Sequence, residues 1–185
     1  MSVRERSETA VNSSLQRFEE AYNAFEVVKK TWEHSPTQYR DIVERFEHET
    51  LGGAGVWLTN DAGEVLLVRN EGDTGWSDPG GKREVGETYE ATARREVREE
   101  TGLECELTGL CEVHLIQNQN AEAERAVVFE IIAIFQGKQV GGNLRPREGE
   151  IAEVGWFTTP PQEVLYREVK ERPYPASGYT GEPNQ

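Results

Sequence analysis

The segment TYEATARREVREETG, residues 88–102, limits what this chain can become more than any other. Thr88 is a good acceptor for a first-turn amide, and Gly102 supplies the residue on which a helix ends. Between them Ala91, Ala93 and Val97 are compatible with that helix. Glu96, Glu99 and Glu100 stand three and four residues apart, so their carboxylates share one face. Each like-charged pair at that spacing costs about a few tenths of a kcal/mol. The group also sits at the helix C-terminus, the end that favours cations. Stability alone does not select such an arrangement. A divalent cation would resolve both conflicts, since Mg2+ is held by a few carboxylates together with waters and substrate phosphates. From the cluster alone, a solvated acidic face paired with Arg94, Arg95 and Arg98 remains the competing reading.

The rest of the chain can be placed around this helix. Leu15, Phe18, Tyr22, Phe25, Val28 and Trp32 recur at three- and four-residue steps and predict an amphipathic helix over 13–32. Ser35-Pro36 opens a second helix carrying Tyr39, Ile42, Val43 and Phe46. Residues 1–50 therefore read as a helical arm, packed on the main domain or on a second copy in a homodimer. Strands are expected at Ala54–Thr59 and Val65–Arg69 around the turn NDAG, then at Glu106–Gln117, Ala126–Phe135 and Val154–Phe157. A last helix is expected near Gln162–Glu171. The division is an extension at 1–50, a main domain at 51–172 and a poorly ordered tail at 173–185. Strands and helices mixed in this order point to an α/β fold with a mixed sheet covered by helices.

Charge narrows the partners. Asp and Glu number 34 against 20 Lys and Arg, a net of −14. Extended nucleic acid needs clustered basic residues and is excluded, whereas a small phosphorylated ligand can bind where a cation neutralises it. Lysines occur only at Lys29, Lys30, Lys82, Lys138 and Lys170. Adaptation to concentrated salt and an ordinary acidic protein both fit that balance. Cys105 and Cys111 are too few for a disulfide framework and read as buried thiols in a reducing compartment. MSVRERSETA lacks the apolar core of a signal peptide, and no run approaches the ~20 apolar residues of a membrane span. A cytoplasmic protein without membrane contact is expected.

The spacing around the helix is more specific than its composition. Gly81, five residues, Glu87, seven residues, Arg95-Glu96-Val97, one residue, Glu99-Glu100, one residue, Gly102-Leu103: this resembles the Nudix hydrolase signature G-x5-E-x7-R-E-U-x-E-E-x-G-U, with U aliphatic, at every position. Trp76 and Pro79-Gly80 look like the family's entry into the motif. The order of surrounding strands and helices extends the resemblance to roughly residues 52–170, and residues 1–50 lie outside it. The resemblance implies a Nudix α/β/α sandwich with a mixed β-sheet, here carrying an N-terminal helical extension. It implies hydrolysis of a phosphoanhydride bond in a nucleoside diphosphate linked to another moiety, or in a nucleoside triphosphate. Mg2+ would be the cofactor, with Mn2+ able to substitute. A catalytically silent nucleotide-binding module of the same fold is the alternative.

Residue roles follow from the same resemblance. Glu96 and Glu100 would hold the metal, Glu99 would ligate it or activate water, and a carbonyl at Gly80 or Gly81 would complete the site. Glu87 and Arg95 would brace the loop, with Gly81 and Gly102 as supporting turns. Outside the motif, Glu150 is the first candidate for a general base, ahead of Glu148 and Glu153; within the motif loop, Glu84 is a candidate outer ligand. Arg69, Trp76 and Arg147 are candidates for substrate contact, with Trp57, His114, Arg145 and the amides of IQNQNAEAER behind them. The branch, MutT-like or ADP-ribose pyrophosphatase-like, stays open. WSDPGGKREVGET looks closer to the enzymes that remove oxidised nucleoside triphosphates, and the stretch after Gly102 lacks the proline of many ADP-ribose hydrolases.

Overall fold

The computed structural model describes residues 1–181, so only the end of the expected tail, 182–185, lies outside the described residues. The elements are α1 (Val3–Ala21), β1 (Glu26–His34), α2 (Pro36–Glu47), β2 (Gly53–Thr59), β3 (Val65–Asn70) and β4 (Gly80–Lys82). They continue with α3 (Tyr89–Thr101), β5 (Leu103–Asn120), β6 (Ala123–Gly142), β7 (Ile151–Phe157) and the short α4 (Glu168–Glu171). Among the described residues the sheet runs β1-β5-β6-β2-β3-β7, with β4 added against β2. The pairs β1–β5 and β6–β2 are parallel and the others antiparallel, so the sheet is mixed as expected.

Two apolar layers cover it. Along β2, Val56 and Leu58 join α1 and α3 in one core, with Val11, Phe18, Ala93 and Val97. Trp57, between them, points to the other core with Val65, Leu67, Val169 and Tyr174. This is the period of two that a strand buried on both faces must show. Phe18 is fully buried, with its ring against Tyr89, Phe25 and Phe135.

The N-terminal arm departs from expectation. The first helix ends at Ala21, and residues 26–34 form a strand pairing in parallel with Glu112–Asn120. Phe25, Val28 and Trp32 fit a helical spacing, but Val27-Val28 is β-branched and Tyr22 already has extended dihedrals (φ −127, ψ 140). Ahead of it the helix begins at Val3 on a reciprocal Ser2–Glu5 capping box, a start signal the apolar pattern alone did not reveal. The second helix sits where Ser35-Pro36 placed it.

Other departures follow from pairing. Strand β6 runs on through Gly142, past the expected end at Phe135, so QGKQVGG is strand as well. The expected helix at 162–171 is helical only at Glu168–Glu171, because Glu163 and Leu165 are tied by backbone hydrogen bonds to Trp76. The segment after Arg172, expected as a poorly ordered tail, packs into the second core. Tyr174 is fully buried, its hydroxyl donates to the Val169 carbonyl at 3.1 Å, and the Trp57 indole donates to the Pro173 carbonyl at 3.0 Å. Cys105 and Cys111 are both free thiols on β5. No helix among the described residues is long and apolar enough to cross a membrane.

Candidate functional site

Helix α3 carries its acidic end because a loop takes up its carbonyls. Thr88 accepts from the Ala91 amide at 3.1 Å, and Gly102 closes the helix in the left-handed region (φ 72, ψ 1). A side chain at Gly102 would come within 2.4 Å of the Asn143 carbonyl. Asn143, Arg145 and Arg147 then donate their amides to the carbonyls of Gly102, Thr101 and Glu100 at 3.2, 2.9 and 3.0 Å. Orphan carbonyls at a helix end need such partners. The loop following β6 supplies them, and in doing so it brings Arg147 and Glu150 beside the acidic face.

Glu96 and Glu100 are both buried, while Glu99 is exposed. Glu100 accepts the Gly80 amide at 3.0 Å. Burial, reinforced by Glu96, Glu150 and Asp78, pushes its carboxyl up to about 8. Burial likewise raises Glu96 against the pull of Arg95. Gly81 faces Glu96 so closely that an added Cβ would meet its Oε1 at 2.5 Å. The strand β4 therefore presents glycine backbone to both buried carboxylates, with Gly80 engaging Glu100 through its amide.

Arg95 organises the other side. Its Nε and Nη2 donate to the two oxygens of Glu87 at 2.7 and 2.9 Å, and Nη2 also reaches the Lys82 carbonyl. The fork holds the Glu87 carboxyl down at about 2. Its Nη1 lies 2.7 Å from Glu96 and 3.3 Å from Glu99. Glu99 also pairs with Arg147 at 3.2 Å, and Arg147 with Glu150 at 3.0 Å. With these cations in place, the three motif carboxylates do not converge on one point, and no cluster of three acidic, histidine or cysteine groups poised for a metal occurs among the described residues. The pair Glu96 and Glu100 still suits a hard cation. Both are buried, both are raised, and a Mg2+ site needs only one or two carboxylates when water and phosphate complete it.

A cavity of about 580 Å³ opens beside Glu100, Gly80 and Gly81. Its lining also includes Asp78, His114 and Tyr166, together with the exposed Trp32 and Leu165. Lys30 and Trp32 come from β1, so the N-terminal arm contributes to this space. Arg69 and Trp76 are not among its lining residues: Arg69 pairs with Glu153 at 3.2 Å and donates to the Asp73 carbonyl, and the Trp76 ring packs on Phe157. Trp57 belongs to the second core. Glu148 is exposed on the loop, and Glu84 is 3.9 Å from Arg95. Arg145 lies over Gly102, and the amides of 117–120 belong to β5, with Asn118 buried and donating to Glu130 at 2.7 Å.

Three of these lining residues, Asp78, His114 and Tyr166, belong to a buried charge network that sequence reasoning missed. Arg172 donates to Asp78 at 2.7 Å and to Glu112, and Glu112 accepts from His114 at 2.7 Å. Tyr166 donates to Asp78. Burial would raise Glu112, but His114 and Arg172 bring it down to about 2. Burial would lower Arg172, yet its two carboxylates hold it above its usual range. One signal was present in CEVHLI: Glu112 and His114 alternate with apolar residues, so both point to one face of a buried strand.

Residues 50–176 match the NUDIX domain family. A MutT-like protein of Streptomyces ambofaciens is 35% identical over 114 residues, 62% of this chain and 66% of that protein. Nucleoside diphosphate-linked moiety X motif 6 of Xenopus laevis is 43% identical over 70 residues, 37% of this chain and 32% of that protein. The chain thus spans about a third of one curated relative and about two thirds of the other. Among solved structures, a MutT NUDIX hydrolase from Burkholderia pseudomallei superposes with a TM-score of 0.50 at 25% identity, over 63% of this chain and 90% of that one. With the family matched over more than half of its length and the acidic helix set against the Gly80-Gly81 strand, the chain belongs to the Nudix family.

Proposed function

We propose that this chain is a Mg2+-dependent hydrolase of a phosphoanhydride bond in a small nucleotide. The substrate is a nucleoside diphosphate linked to another moiety or a nucleoside triphosphate, with oxidised triphosphates included. The observation that carries this reading is the buried pair Glu96 and Glu100 set against Gly80 and Gly81, with Glu100 and both glycines lining a cavity of about 580 Å³. Family membership supports the reaction class, and the relatives' names, a MutT-like protein and a nucleoside diphosphate-linked moiety X protein, support the substrate class.

Glu96 and Glu100 would hold the cation, with Glu99 or Gly80 as further donors. Bound there, Mg2+ would offset phosphate charge and lower the pKa of water. Glu150 and Glu99 each pair with Arg147, and either would take a proton from the attacking water. Arg147, paired with both, would be the cation that meets a phosphate. Glu87 and Arg95 hold the loop that carries Gly81.

The silent binding module draws on one observation, the Arg95 guanidinium lying against both Glu96 and Glu99. A single experiment separates the two readings. Release of nucleotide and phosphate would be followed for ADP-ribose, 8-oxo-dGTP, nucleoside triphosphates and diadenosine polyphosphates, with Mg2+ or EDTA, at low and high KCl. Turnover that requires Mg2+ and collapses in Glu100→Gln supports the hydrolase. Nucleotide binding without turnover at either salt supports the module.

A further inference from the structure

Strand β1 leaves one side of the sheet open. Among the described residues it ends the order β1-β5-β6-β2-β3-β7, and every residue from Glu26 to His34 is in register with β5. The His34 carbonyl accepts from the Ala121 amide at 2.9 Å, one residue past its register partner Asn120. In a parallel pair, alternate residues direct both N–H and C=O to the same neighbour, so the even-numbered residues of β1 face β5. The backbone groups of Val27, Lys29, Thr31 and Glu33 therefore face outward, and all four residues are exposed.

An open edge is ordinarily guarded by shortness, a bulge, proline or charge. Strand β1 runs nine residues without proline, keeps a continuous register, and exposes the apolar Val27 and Trp32. Its guard is Lys29-Lys30, which rejects an unmatched strand. A partner must answer that charge.

A second copy of the same strand does so in one register. Antiparallel pairing about a two-fold axis normal to the sheet keeps each face continuous, so even residues oppose even and odd oppose odd. An axis through Lys29 or Lys30 sets lysine against lysine. An axis through Val28 or Trp32 pairs only 26–30 or 30–34. An axis through Thr31 pairs 28–34 and sets Lys29 opposite Glu33 on both sides. Lys29, Thr31 and Glu33 hold the outward backbone groups, so these opposed pairs exchange hydrogen bonds. Between them Lys30 stands opposite Trp32 at the closer, non-hydrogen-bonded spacing. Both residues line the cavity of about 580 Å³, so pairing brings Trp32 of the second copy to its rim.

We propose that two copies of this chain pair antiparallel through β1, centred on Thr31, and that each lends Trp32 to the rim of the other's cavity. The pairing stands independently of the hydrolase reading, and only its effect on substrate affinity rests on that reading. Each copy carries a net charge of −14, so salt screens the repulsion between them and tightens the dimer. The exposed Lys29–Glu33 pairs select the register more than they add affinity.

Sedimentation velocity of the full chain across protein concentrations, at low and high KCl, tests the pairing. The wild type should dimerise, more tightly at high salt. Lys29→Glu and Glu33→Lys should each be monomeric, and the two together should dimerise again. Thr31→Pro should be monomeric too. Its lost N–H faces outward, so pairing with β5 survives, and near-ultraviolet circular dichroism verifies the fold of every variant. A wild type that is monomeric at both salts overturns the inference. So does a dimer that both single charge variants leave intact, or one that the double variant fails to restore. Kinetics on a nucleotide that turns over then reads the shared rim: KM should rise about two- to fivefold in Thr31→Pro, with kcat held. An unchanged KM removes the shared rim and leaves the pairing. If no nucleotide turns over, the hydrolase reading fails, and sedimentation alone still decides the pairing.

Discussion

The Gly80 amide donates to Oε2 of Glu100 at 3.0 Å, so the loop entering the motif is fastened to the most perturbed carboxyl of the acidic helix. Burial raises that carboxyl to about 8 without a cation. A raised carboxyl favours the folded state while protonated. Its contribution is complete below about pH 4.5 and is lost as pH rises through 8, a swing of roughly a few kcal/mol. In EDTA, the melting temperature of the wild type should therefore fall between pH 5 and 9. Glu100→Gln keeps an acceptor for Gly80 without the charge, and its decline should be shallower. Added Mg2+ should restore the wild type most at the alkaline end and the variant little. Thermal unfolding across pH checks this, and parallel curves for the two proteins would refute it.

Gly81 tests whether Glu96 must sit where it does. A methyl group there would fall 2.5 Å from Glu96 Oε1 and 2.6 Å from its carboxyl carbon. The flexible carboxylate, rather than the strand, is the part that can yield. Gly81→Ala should leave the fold intact but displace Glu96 by about 1 Å, lowering turnover by about 10²-fold. The check is kcat alongside circular dichroism, with Mn2+ affinity by electron paramagnetic resonance falling in step. Unchanged kcat would mean that Glu96 is not held to one position.

The acidic helix was legible because its signals are local. Thr88, the carboxylates at three- and four-residue steps and Gly102 all lie within one turn of what they act on. The strands at 53–59 and 65–70 were legible for the same reason, bracketing a turn. Strand β1 was not, since Phe25, Val28 and Trp32 satisfy a helical period, and only pairing with Glu112–Asn120 decides between the two. The charge network was out of reach for a topological reason. Arg172 and Asp78 lie 94 residues apart, and nothing near either one names its partner.

Tyr174 shows how the same limit hid the C-terminal segment. RPYPASGY is short, polar and proline-bearing, the composition of a tail, yet its one fully buried ring stands edge-on to Trp57 at 5.3 Å. Large-to-small changes at buried aromatics cost about 3–5 kcal/mol. Tyr174→Ala, or a chain ending at Arg172, should lose most of that amount in urea unfolding with little change in slope. A truncation at Arg172 as stable as the full chain would show that the ring is dispensable.

Arg172 is the residue on which the cavity wall depends most. It is buried between Asp78 and Glu112, and removing one partner of such a group leaves uncompensated charge at a cost of about 3–5 kcal/mol. Arg172→Met should therefore be strongly destabilised at neutral pH. Acid should act differently on the two proteins. In the wild type Glu112 is held down at about 2, so its contribution is complete above about pH 4.5 and is lost as pH falls toward 2. In Arg172→Met the same carboxyl lacks the guanidinium, and protonation relieves rather than removes an interaction. The variant's deficit should narrow between pH 7 and pH 4, and Glu112→Gln combined with Arg172→Met should recover part of the loss at pH 7. Urea midpoints at the two pH values test both statements; a deficit that is independent of pH and unmoved by the second substitution would assign Arg172 to packing alone.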